Sequence, residues 1–243
     1  MKISQTARVL ASAVFFLTAA SASPIGPKGP DFFGYQGNDI ASNLRNVSTS
    51  GTTVSLSDEQ MSSAINIGFA FSFYGTSFTQ LFVSSNGFLD FDGGNPSITL
   101  PEPVPGNGVI GGGIIGGLLR DHDPSQGGTI AFQTLGSPGS RQFVLGFYDV
   151  PQFGSPAVST FEMILHEGSN NIEFQYGTLS NFANTTSVGL EAPGSNTGLA
   201  ILLGAQPDNN SGYLITTLAD VPEPSTIVLS ALGMAALLLR KRR

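Results

Sequence analysis

Asp121-His122-Asp123 is the densest run of chemically capable side chains in this sequence of 243 residues, and Asp90-Phe91-Asp92 is the next. Alternate carboxylates on a loop are the donors a hard cation takes, and Ca²⁺ gathers six to eight oxygens. Asp121 and Asp123 are therefore the candidate calcium ligands. Neither run has the acid spacing, central glycine and closing glutamate of an EF-hand. An acidic turn held by Asx bonds to backbone explains the same letters. His122, flanked by two aspartates, is expected to have a raised pKa, a poor start for a neutral general base. His166, the other histidine, stands beside Glu167 and Gly168 at an expected strand end and should meet solvent.

Other chemistries find less support. No Gly-x-Ser-x-Gly elbow seats a nucleophilic serine. A carboxylate pair for glycoside cleavage must stand ~5–9 Å apart across a sugar-sized cleft, and nothing selects such a pair among the 17 acids. The chain has no cysteine, which removes thiol catalysis, thiolate zinc sites and disulfides. Two runs, Gly106-Asn107-Gly108-Val109-Ile110-Gly111 and Gly111-Gly112-Gly113-Ile114-Ile115-Gly116, fit the letters of a dinucleotide fingerprint. That chemistry needs the glycines between a strand and a helix. Here Pro101, Pro103 and Pro105 precede the run and no amphipathic helix follows, so a loop entering a Gly-rich strand is expected and no cofactor is assigned.

The elements that must carry these residues are strands. Only 11% of residues are charged, too few to cover long surface helices, while 31 Gly and 15 Pro favour short strands and frequent turns. Ile67, Phe69, Phe71 and Phe73 alternate with smaller or polar residues, which places four large side chains on one face. Gly75-Thr76-Ser77 turns the chain into a strand over 78–84, and Ser85-Asn86-Gly87 turns it again into 88–91. Further strands are expected over 52–56, 114–119, 129–134, 142–149, 159–166, 171–176, 186–190, 199–203 and 213–218. A helical turn finds a place only at 57–63. The fold class is all-β, an antiparallel β-sandwich.

Charge is distributed unevenly. Between the leader and the terminal cluster only Lys28, Arg45, Arg120 and Arg141 face all 17 acids, a net charge of −13. Such a body lacks the basic footprint that phosphate contacts require, so nucleic acid is excluded as a partner.

The two ends read as targeting segments. Lys2 and Arg8 precede an uncharged apolar run, and Ala20-Ser21-Ala22 offers the small residues a signal peptidase needs, with cleavage before Ser23. At the other end Val221-Pro222-Glu223-Pro224-Ser225-Thr226 leads into the apolar run 227–239, closed by Arg240-Lys241-Arg242-Arg243. Thirteen residues at 1.5 Å each span about 20 Å, against a hydrocarbon core of ~30 Å, so insertion as a single helix is marginal. The terminal cations would stay on the cytoplasmic side. The expected organisation is a signal helix at 1–22, an extended arm at 23–38, the sandwich at 39–220 and a tail with one hydrophobic helix at 221–243.

This tail resembles the PEP-CTERM sorting signal of Gram-negative bacteria in the order of its Pro-Glu-Pro motif, short apolar run and Arg-rich end. The resemblance implies recognition by exosortase, a transpeptidase-like membrane enzyme that removes the tail, and association with extracellular polysaccharide or biofilm matrix. The body carries a second likeness. Gly68-Phe69-Ala70-Phe71-Ser72-Phe73-Tyr74-Gly75 and Val83-Ser84-Ser85-Asn86-Gly87-Phe88-Leu89 resemble the start of nidogen-like extracellular domains. The segments Leu118-Leu119-Arg120-Asp121-His122-Asp123, Phe143-Val144-Leu145-Gly146-Phe147-Tyr148 and Phe161-Glu162-Met163-Ile164-Leu165 continue it. Leu118 and Phe147 stand where related sequences often carry Trp. This likeness implies an extracellular β module and brings no catalytic residues.

The expected function is that of an exported, non-enzymatic surface or matrix protein. It would pass through an inner-membrane intermediate to the cell surface, with signal peptidase, exosortase and extracellular polysaccharide as partners. A secreted glycan hydrolase and a calcium-dependent adhesion module are the alternatives.

Overall fold

The computed structural model describes residues 28–93, 103–106, 113–180 and 186–217. The signal residues Ala20, Ala22 and Ser23, the sorting motif at 221–225, the basic tail at 240–243 and both expected terminal helices lie outside the described residues. Among the described residues no helix is long and apolar enough to cross a membrane.

The period-two pattern produces the strands it implies. In β3 (Ile65–Phe73) the residues Ile65, Ile67, Phe69, Phe71 and Phe73 are all buried, alternating with exposed or half-buried neighbours. Among the described residues thirteen strands form two antiparallel sheets. The first orders β1 (Tyr35–Ala41), β13 (Ser211–Thr217), β10 (Ile172–Leu179), β9 (Val158–His166), β8 (Gln142–Pro151), β7 (Thr129–Leu135) and β2 (Thr52–Thr53). The second orders β12 (Gly198–Leu203), β11 (Ser187–Glu191), β6 (Ile114–Leu119), β5 (Phe88–Asp90), β4 (Thr76–Val83) and β3. Between them lies one apolar core. Phe147, Phe161, Met163 and Phe174 come from the first sheet, and Phe71, Leu81, Val83, Ile115 and Leu190 from the second.

Three local expectations change. β1 begins at Tyr35, so the first sheet takes in part of the segment read as an arm. The helical turn at 57–63 does not form. Gln60 folds its Oε1 back onto Ser57 N at 2.6 Å, and Met61 makes an isolated bridge to Ser84. The only helical element among the described residues is a 3₁₀ turn at Pro124–Gln126.

β8 and β9 are buried on both faces, which accounts for their nearly unbroken apolar sequence. The outer face is covered by the connection between β1 and β2, where Val47 packs with Ala131, Val144, Tyr148 and Ile164. Gly146 makes this possible. A Cβ there would stand 2.2 Å from the Tyr148 ring, so the bare backbone lets that ring fold back over the sheet.

Register gives the first sheet two distinct ends. Tyr35 pairs with Thr217, Ile172 with Ile215, Leu165 with Ile172 and Gln142 with His166, which places these residues together at one end. Ala41, Ser211, Leu179, Ser159 and Pro151 line the other. The chain leaves the first end at Thr217 towards its tail, so that end is called proximal and the other distal.

Candidate functional site

The distal end holds Asp121, His122 and Asp123, but not in the grouping their sequence suggests. Asp121, His122 and Asp123 point three ways. Asp123 is 5% exposed and caps the 3₁₀ turn, its Oδ1 accepting from Ser125 N at 3.0 Å and Ser125 Oγ at 2.5 Å. This is the Asx arrangement that competes with metal binding. Asp121 turns instead to Asp58 and Glu59, and the three carboxylates bring ligand atoms within 4.8 Å of one another. Asp58 Oδ1 and Asp121 Oδ1 are closed off from solvent and have no hydrogen-bond partner among the described residues. Burial raises the pKa of both groups, with Asp123 and Glu59 repelling Asp58, and Asp58, Glu59 and Asp123 repelling Asp121. A cation would remove that repulsion. The sequence offered Asp58-Glu59 only as adjacent acids in a polar segment, far along the chain from Asp121.

His122 corrects its expectation. Its pKa is pushed down to about 3, not raised, by complete burial first and by the Arg120 charge second. The flanking aspartates do not reach the ring. Nδ1 meets Arg120 O at 3.0 Å, Nε2 meets Ser159 Oγ at 3.1 Å, and Phe147 and Phe161 lie 5.9 Å away centre to centre. Asn86 Oδ1 accepts the His122 backbone N–H at 3.0 Å. This neutral imidazole is a fully buried core residue.

His166 is also not the solvated residue expected. Its Nε2 lies 2.9 Å from Glu173 Oε2, while Arg45 grips the same carboxylate at 2.7 and 3.0 Å. Burial pushes the Glu173 pKa up, but the bonds from His166 and Arg45 outweigh it and the net shift is down. Nearby Glu162 is fully buried and accepts from Arg45 N at 2.8 Å, Asn46 N at 2.7 Å and Tyr148 Oη at 2.8 Å. These carboxylates fasten the β1–β2 connection to the sheet.

The remaining candidates resolve simply. Asp90 is buried in β5, and its Oδ1 accepts from Asp92 N at 2.6 Å. The second glycine run enters β6, where Gly117 sits so close to Met163 that a Cβ would lie 2.6 Å from its Cγ. Residues 114–116 of the run lie in the expected Gly-rich strand, β6; residues 107–112 lie outside the described residues.

Beside the acid cluster the β8–β9 hairpin and the 3₁₀ turn enclose an open cleft of about 560 Å³ lined by Asp123, Gln126, Pro151, Gln152 and Phe153. Phe153 is 54% exposed, and Asp121 O accepts its backbone N–H at 3.0 Å. The cleft thus joins an aromatic ring, two side-chain amides and a carboxylate on the β8–β9 hairpin and the 3₁₀ turn.

Comparison with known proteins gives two matches. Residues 220–243 match the PEP-CTERM protein-sorting motif, which makes this an exosortase-sorted chain, exported to the outside or surface of a bacterial cell. No curated protein and no solved structure matches the chain. Residues 34–229 match the family described as NIDO related; the sandwich, its early β3–β4–β5 motif and that span agree, and the chain belongs to the NIDO-related family.

Proposed function

We propose that the exported domain is a non-enzymatic matrix or cell-surface protein that associates with extracellular polysaccharide through its distal cleft. The observation that carries this reading is Phe153, an exposed ring standing over a cleft whose rim offers the amides of Gln126 and Gln152. A sugar presents apolar C–H faces and a belt of hydroxyls, and an aromatic ring with neighbouring amides answers both. Both histidines are engaged in internal bonds, His122 with Arg120 O and Ser159 Oγ and His166 with Glu173, which supports binding rather than turnover. Full-length protein should be retarded in native gels that contain the exopolysaccharide of the producing bacterium. Phe153→Ala should weaken that retardation about fivefold to tenfold, the loss of one ring contact of roughly 1 kcal/mol. Release of reducing ends from the same polysaccharide would overturn this reading in favour of a hydrolase.

A calcium-dependent form of the same role has its own support in the Asp58, Glu59 and Asp121 carboxylates, of which Asp58 Oδ1 and Asp121 Oδ1 are closed off from solvent and have no partner among the described residues. Ca²⁺ at a hundredfold excess over its Kd should add about 2.7 kcal/mol to the unfolding free energy. The melting temperature should rise accordingly, fall back with EDTA, and lose this response in Asp121→Asn. An identical melting temperature with calcium and with EDTA would sink the calcium reading and leave the polysaccharide reading standing.

A further inference from the structure

The proximal end carries exposed aromatic rings that the distal cleft does not use. Phe32 and Phe33 form the tip of a turn before β1 and are 69% and 42% exposed. They are not loosely hung. Asp31 Oδ1 accepts from Phe33 N at 3.0 Å and Tyr35 N at 2.9 Å, and its Oδ2 accepts from Tyr74 Oη at 2.6 Å. Phe32 stacks on Tyr74 at 5.7 Å and Phe33 on Tyr35 at 5.5 Å. A half-buried carboxylate thus holds two large apolar side chains out in water, an arrangement that marks an interaction surface.

Where the chain ends identifies the occupant. Thr217, the last described residue, pairs with Tyr35, directly behind this turn. Nine residues, 218–226, separate it from the apolar run at 227–239. Fully extended they reach at most roughly 30 Å, so a tail inserted in a bilayer holds the aromatic turn within that distance of the lipid surface.

The charge pattern agrees. At the proximal end of the first sheet Asp31 is spent on the turn, Glu167 on Arg141, and Glu173 on Arg45 and His166. At the distal end Asp58, Glu59, Asp121 and Asp123 make no ion pair among the described residues. Anionic lipid therefore repels the distal end and tolerates the proximal one.

We propose that the Phe32–Phe33 turn, with Tyr74 behind it, is a membrane-resting corner. While the tail is still attached, these rings lie in the interfacial zone of the bilayer, where aromatic side chains partition. The domain then stands with its acidic cleft facing away and the end of β13 at Thr217 facing the lipid surface. This goes beyond the polysaccharide reading and is independent of it.

The chain has no cysteine, so a single introduced thiol can carry an environment-sensitive dye. Full-length protein is inserted through its own tail into phosphatidylcholine vesicles containing nitroxide-labelled lipid. The dye is placed at Phe32→Cys or, as a control on the opposite end, at Phe153→Cys. At position 32 the emission should shift to the blue and be quenched severalfold more strongly than at position 153. Adding Phe33→Ser to the position-32 protein should return both readings most of the way to the control. Equal quenching at the two positions overturns the proposal. So does strong quenching at position 32 that ignores Phe33→Ser, because the tether alone then explains it. Shielding of the position-32 dye by soluble exopolysaccharide without lipid would assign the corner to glycan and would overturn it as well, whereas binding at the Phe153 cleft is left intact by any of these results.

Discussion

Glu162→Ala is expected to lower the unfolding free energy by about 3–5 kcal/mol, the usual cost of stranding buried partners of a charged group. Glu162 is fully buried in the middle of β9, opposite Gly146. Its two oxygens receive the backbone N–H groups of Arg45 and Asn46 and the hydroxyl of Tyr148. The same Tyr148 hydroxyl accepts the Val47 N–H at 2.8 Å. Three consecutive residues of the β1–β2 connection therefore hang on one carboxylate, directly or through Tyr148. Truncation leaves those donors with nothing to bond and opens a hole beneath Val47. For a domain of this size each kcal/mol moves the melting temperature by about 2–4 °C, so a fall of roughly 10 °C is expected. Glu162→Gln keeps an acceptor and should cost much less. A loss under about 1 kcal/mol for the alanine variant would mean that the connection is held by its apolar contacts instead.

The second large effect is a pH dependence set by His122. In the folded chain its pKa is about 3, against an ordinary 6.5. Between these values the unfolded chain binds a proton that the folded chain refuses. The neutral ring's contribution is therefore fully present above pH 6.5 and is lost as pH falls towards 3. One proton corresponds to about 1.4 kcal/mol per pH unit, so roughly 3 kcal/mol should disappear between pH 6.5 and pH 4. Other groups titrate in the lower part of this window. Glu167, held down to about 2 by its bonds with Arg141, adds to the acid loss, whereas the raised pKa values of Asp58 and Asp121 oppose it. His122→Gln separates these contributions, because the carboxylates stay in place. The variant should be less stable at pH 7, and its urea midpoint should fall with acid more shallowly than that of the parent by about one proton's slope. Parallel pH profiles for the two proteins would show that His122 is not the group responsible.

Much of the scaffold was legible because alternation along a strand is a local property. Ile67, Phe69, Phe71 and Phe73 announce β3 without help from the rest of the chain, and the expected 114–119 strand coincides with β6. The Pro and Gly content of 23–38 reads as an extended arm, yet its last four residues, 35–38, open β1, because their strand state is supplied by pairing with β13. The site was less legible for a related reason. Adjacent residues on a turn point in different directions, so Asp121, His122 and Asp123 share a sequence cluster but no common centre.

The sequence by itself determined the all-β class, the C-terminal sorting motif and the acidic charge of the body, since composition, period and terminal order need no tertiary contact to be read. Tertiary structure alone decided what the candidate groups do. It sealed His122 in the core, where burial overrides its acidic neighbours, and spent Asp123 on a cap. It brought Asp58 and Glu59 to Asp121 and set the aromatic turn beside the tail's exit. Each of these depends on desolvation or on contacts between segments distant in sequence, and those forces exist only once the two sheets have closed on each other.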